Sequence, residues 1–134
     1  FAYRWMVHRP DLSFLRKQAV IINTAAGGGM RSTVRDIKDS TENLGIARTH
    51  CLSQSVWNYA WNDLPESFQK SIHRKVQRTA QKVRHHAKHL TPSFKVRCLF
   101  TLYRFLHKHQ KMTPVDDIYW QEHGYNTGMP WKTQ

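Results

Sequence analysis

The stretch from residue 18 to residue 45 constrains this chain more than any other. Gln18-Ala19-Val20-Ile21-Ile22-Asn23 is a short apolar run rich in β-branched side chains. Such side chains are stiff at their first torsion and pack well on a pleated surface. Continuous apolarity without alternation predicts a strand buried on both faces of a parallel sheet. Thr24-Ala25-Ala26-Gly27-Gly28-Gly29 then breaks the run. Beyond it Met30, Val34, Ile37, Thr41 and Leu44 recur at three- and four-residue steps, the spacing of an amphipathic helix. Gly45 stands where a left-handed C-cap belongs. Residues 46–52 read as a second, weaker strand. Strand, glycine turn, helix and strand spell a βαβ unit with an expected right-handed crossover.

The rest of the chain reads as helix and loop. Residues 1–17 are irregular, with room for a short helix over 1–7 before Pro10 and Asp11 interrupt it. Residues 53–62 are a loop carrying Trp57, Tyr59 and Trp61. Asp63 and Glu66 have capping-box spacing, and Pro65 suits a first turn. A long helix follows, its apolar stripe running through Leu64, Phe68, Ile72, Val76, Ala80, Val83, Ala87 and Leu90. Thr91-Pro92 restarts the chain, and residues 93–109 form another helix. That helix has two apolar stripes, one of Phe94, Cys98, Leu102 and Phe105, the other of Val96, Phe100 and Tyr103. One is expected on the body of the domain and the other on a partner. Residues 116–134, with Tyr119, Trp120, Tyr125 and Trp131, read as an ordered tail lying on a surface.

A chain of 134 residues, 40% hydrophobic and 12% aromatic, is long enough and apolar enough to bury a core. Its 21 Lys and Arg against 9 Asp and Glu give a formal charge of +12. That excess attracts polyanions: nucleic acid, an anionic surface or a phosphorylated cofactor. No apolar stretch has the length of a membrane span, and no membrane partner is expected. Cys51 and Cys98 form no C-x-x-C pair, so reduced thiols and a cytoplasmic setting are expected. The chain opens on Phe1, which reads as a processed protein or as part of a longer one.

The glycine turn is the most informative candidate site. In open α/β sheets ligands bind outside the carboxyl ends of the strands, and helix N-terminal amides attract electron-rich groups. A plain strand-to-helix turn is the alternative. No Gly-Lys-Ser/Thr follows, so it is no Walker loop. Lys70, Arg74, Lys75, Arg78, Lys82, Arg84 and Lys88 on the long helix offer a nucleic-acid face or merely a solvated one. His85, His86 and His89 include an i, i+4 pair without an acidic or cysteine partner at matching spacing, so they are expected exposed and no metal site is assigned. Trp57, Tyr59 and Trp61 would stack on a ring system, close a dimer or cap a core edge. Arg4, Trp5 and His8-Arg9-Pro10 would be site neighbours only if they reached the glycine turn. Ser32 and Thr33 have no His/Asp partner, and no catalytic residue is identified.

The order of these motifs resembles the flavodoxin-like NAD(P)H-dependent oxidoreductases of the FMN-reductase group. Residues 1–10 lead into the strand at 18–23 and then into Thr24-Ala25-Ala26-Gly27-Gly28-Gly29-Met30. Leu44-Gly45 precedes the last strand. Tyr119-Trp120-Gln121-Glu122-His123-Gly124-Tyr125 is similar to the family's aromatic ending. The resemblance implies an α/β fold, a partial flavodoxin-like doubly wound parallel sheet holding its last two strands, with a helix-rich C-terminal extension. Residues 1–91 would be the C-terminal half of the flavodoxin-like domain. Residues 92–134 would pack on that domain or on a dimer partner. Thr24, Ala25, Ala26, Gly27 and Gly28 would lie near the isoalloxazine of FMN, with NAD(P)H as hydride donor and a quinone-type or similar acceptor. The family's first strand, its Gly-Ser-Pro-Arg-type phosphate loop and its Ser-Pro-x-Tyr loop have no counterpart here. A homodimer or a complementing N-terminal half is therefore the expected partner. An unpaired strand edge is the expected liability.

Overall fold

The computed structural model describes residues 2–58 and 60–131. Tyr59 and Phe1, both named above, lie outside the described residues. The architecture is mixed α/β. Strand β1 (Gln18–Ala25) leads to helix α1 (Met30–Asn43) and strand β2 (Arg48–Ser55). Helices α2 (Glu66–Lys88), α3 (Phe94–Lys108) and α4 (Pro114–Glu122) follow. The two strands pair in parallel, from Gln18 opposite Arg48 to Ala25 opposite Ser55. The βαβ unit is therefore present, and β2 runs three residues further than its apolar pattern reaches. Its sequence, Arg-Thr-His-Cys-Leu-Ser-Gln-Ser, is mostly polar. Backbone pairing with β1, not hydrophobicity, makes it a strand.

Helix α1 covers one face of the sheet. Asn23 Nδ2 donates to the Met30 carbonyl at 3.3 Å, and the Thr41 and Thr49 hydroxyls meet at 2.9 Å. Helix α2 lies on the other face, over β2. Lys75 Nζ reaches Gln54 Oε1 at 2.6 Å, and Gln18 Nε2 donates to the Val83 carbonyl at 3.2 Å. Beyond Gln18, β1 is poorly covered on that side. Ile21 is 6% exposed, but Val20 is 46% and Ile22 71% exposed. The expectation of a strand buried on both faces is corrected: β1 is buried on the α1 side alone.

The stripe of α2 shows the same deficit, since no residue of that helix is buried. The expected capping box does not form either. Pro65 occupies the N-cap in an extended conformation and Asp63 belongs to a short 3-10 turn, so the acid stands outside the helix. Glu66 instead pairs with Lys70 at 2.7 Å.

The main core lies elsewhere. Met6, Leu15, Val96, Phe100 and Trp120 form it, each at most 6% exposed. Each large side chain in such a core is worth roughly 1.5–3 kcal/mol of burial. Val96 and Phe100 face inward from α3, while Phe94, Leu102 and Phe105 stay exposed. The tail, expected to be ordered and to lie on a surface, holds a helix over Pro114–Glu122. Thr113 stands at its N-cap with its hydroxyl donating to the Asp116 carboxylate at 2.7 Å, Pro114 sits in its first turn, and Asp116 and Asp117 favour its positive end. Gly45, at φ 89°, closes α1 with the Met6 sulfur 3.2 Å from where a Cβ would stand. Only glycine combines that backbone with that contact.

Candidate functional site

The carboxyl end of β1 runs straight into the glycine turn. The last rung of the ladder is followed by a bond from the Val56 amide to the Ala25 carbonyl at 2.9 Å. Asn23, two residues earlier, ties the strand end to the start of α1 through its bond to Met30. Asn23 is a positioning residue that the apolar pattern hid; its signal is a lone amide ending an aliphatic run.

Gly29 is the N-cap of α1 at φ 86° and contributes no side-chain cap. Its carbonyl accepts from the Ser32 hydroxyl at 2.8 Å and from the Thr33 hydroxyl at 3.2 Å. The first-turn amides therefore have no side-chain acceptor at the N-cap. Gly27 and Gly28 differ from Gly29: neither has positive φ, and an added Cβ would meet nothing within 4 Å. Nothing described requires glycine at these two positions. Glycine there is costly in conformational entropy and useful where another group approaches the backbone.

Thr24, Ala26, Gly27 and Gly28 are exposed and Ala25 is half-buried. The five predicted contact residues thus run contiguously from the last two residues of β1, Thr24 and Ala25, into the open turn at the sheet's carboxyl edge. The turn contains no ionisable side chain. It offers amide dipoles and a close backbone approach, and no acid, base or nucleophile. Trp57 and Trp61 follow the carboxyl end of β2. Trp57 is 61% exposed with its ring 5.2 Å from Phe68, and Trp61 meets His73 edge-on at 5.6 Å. Both leave indole surface free on the same side of the molecule as β2's end.

The segment containing Arg4, Trp5, His8, Arg9 and Pro10 is placed at the opposite end. The Met6 amide donates to the Asn43 carbonyl, at the far end of α1. His8 Nδ1 lies 3.0 Å and Arg9 Nε 3.4 Å from the Asp116 carboxylate. Trp120 Nε1 donates to the His8 carbonyl at 2.8 Å. Burial pushes the Asp116 carboxyl up, but hydrogen bonds from Thr113 and His8, with the Arg9 guanidinium paired beside them, outweigh it and hold the group below its ordinary range. These residues dock the N-terminal segment and are not neighbours of the glycine turn.

His85 and His89 are exposed, whereas His86 is partly covered, its ring 5.4 Å from His50. Among the described residues no three metal-ligating side chains converge. Cys51 and Cys98 are free and exposed. Among the described residues no helix is long and apolar enough to cross a membrane. No family model, curated protein or solved structure matches the chain.

Proposed function

We propose that this chain is the ring-binding part of a cytoplasmic, flavodoxin-like, FMN-dependent NAD(P)H oxidoreductase. The carrying observation is the open glycine turn between β1 and α1, where Gly27 and Gly28 have neither positive φ nor a crowded Cβ position. A flat ring laid against that backbone accounts for both glycines. The amides of residues 25–31 then face its electron-rich edge. FMN, when bound, accepts hydride from NAD(P)H. The protein's part is to orient the ring and tune it through backbone dipoles. Thr24, Ala25, Ala26, Gly27 and Gly28 are assigned to the flavin, and no side chain is assigned as catalytic. The fit covers the ring and not the phosphate, for which these residues provide no cationic side chain. A homodimer partner or a complementing N-terminal half supplies the phosphate site and covers Val20 and Ile22.

The test is an FMN titration followed by flavin fluorescence, with the chain alone and mixed with a complementing N-terminal flavodoxin-like half. Tight binding only in the mixture, weakened at least tenfold by Gly28→Val, supports the reading. Binding indifferent to Gly28→Val refutes it.

One observation favours a second reading, a non-catalytic module that binds nucleic acid. Lys70, Arg74, Lys75, Arg78, Lys82, Arg84 and Lys88 are all exposed on α2, whose single acid is Glu66. Such a face predicts salt-sensitive binding lost on charge reversal at Arg74, Lys75 and Arg78.

A further inference from the structure

We propose that the outer face of α3 is a docking groove for an acidic amphipathic helix of a partner protein. This inference does not depend on flavin binding. Phe94, Leu102 and Phe105 are 76%, 51% and 51% exposed. With Cys98 they repeat at four, four and three residues, which places all four on one stripe of the helix. The stripe spans about 16 Å, or three turns. Met129 and Trp131 of the tail form a second wall, giving a groove of about 670 Å³. Arg104 Nη1 holds that wall by donating to the Gly128 carbonyl at 3.2 Å.

Charge chooses the occupant. Helix α3 contains no carboxylate, and neither does the wall from residue 123 to 131. Arg97, Arg104 and Lys108 run along one flank of the stripe at seven- and four-residue spacing. A second copy would bring an identical basic flank against this one, an arrangement like charges oppose. A lipid surface is flat, whereas a three-turn apolar strip with the Met129 and Trp131 wall along one side suits a rod. A helix with apolar residues at i, i+4, i+7 and i+11 and glutamates beside them satisfies both the floor and the flank.

Cys98 lies in the groove and Cys51 on β2, outside it, so the chain carries its own probe and reference. The experiment uses a synthetic helical peptide with leucines at those four positions and flanking glutamates. A control peptide has lysines in place of the glutamates. Vesicles of phosphatidylcholine with phosphatidylglycerol are run in parallel. Alkylation of both thiols is followed by mass spectrometry across a range of protein concentrations. The expected result is at least tenfold slower alkylation of Cys98 with the acidic peptide and no change at Cys51. The Arg97→Glu, Lys108→Glu double variant should transfer that protection to the lysine peptide. Equal protection by both peptides, protection by neither, protection by vesicles alone, or protection that grows with protein concentration in their absence would each overturn the proposal.

Discussion

Gln18 joins three elements through one amide group. Its Oε1 accepts from His50 Nε2 at 2.9 Å, and its Nε2 donates to the Val83 carbonyl of α2 at 3.2 Å. His50 must carry its proton on Nε2 to make this bond, and its ring is only 9% exposed. Burial pushes its pKa below the ordinary 6.5, and the neighbouring His86, Lys82 and Arg48 push it the same way. The unfolded chain thus binds this proton more readily than the folded one. The stability contributed by neutral His50 is complete above pH 6.5 and is lost progressively as the pH falls below that value. An NMR titration of the imidazole protons, assigned with His50→Gln, should place the His50 midpoint below 6.5. A midpoint at or above that value would contradict the geometry. None of this was legible in the sequence, because Gln18 read only as the polar start of a strand. His107 was equally silent. Its side chain is fully buried, Nδ1 is 2.6 Å from Asp117, and Nε2 is 3.0 Å from the Val7 carbonyl. Both partners lie at sequence distances that no local pattern encodes.

At the scale of elements, local periodicity carried β1, α1, α2 and α3 to within a few residues, since each has a repeat of its own. Strand β2 was found but misplaced toward its apolar start, because its polar half is a strand only by pairing. Helix α4 was missed although Thr113-Pro114 and the acids of its first turn are recognised start signals. Its aromatic density suggested a surface tail instead. The burial of β1 was misjudged for a physical reason: apolarity reports what a face is suited to, not what covers it. The asymmetry predicts a clear contrast in urea denaturation. Ile21→Ala, at a 6% exposed position, should cost about 2–4 kcal/mol. Ile22→Thr, at a 71% exposed position, should change stability by less than about 0.5 kcal/mol. Equal losses would mean that both faces of β1 are covered in solution.

The whole molecule has two centres. One is the βαβ unit with α2, in which β1 is buried on the α1 side alone. The other is the aromatic core of Met6, Phe100 and Trp120, with Val96 and Leu15. They meet at residues 45–47 and 93. There Ala47 is fully buried, its amide donating to the Lys17 carbonyl and its carbonyl accepting from the Ser93 amide. The glycine turn and the docked N-terminal segment end up at opposite ends of the sheet. The turn's location was legible because strand, glycines and helix are contiguous; the segment's location was not, because it depends on α3 and α4. The proposed function requires the turn to accept a flat flavin ring. Its most direct test is an amide NMR map of this chain titrated with riboflavin, whose lack of phosphate avoids simple attraction to the basic face of α2. Shifts are expected only at residues 24–31 and in the indole signals of Trp57 and Trp61. Shifts confined to α2, or none in a riboflavin-saturated solution, would contradict it.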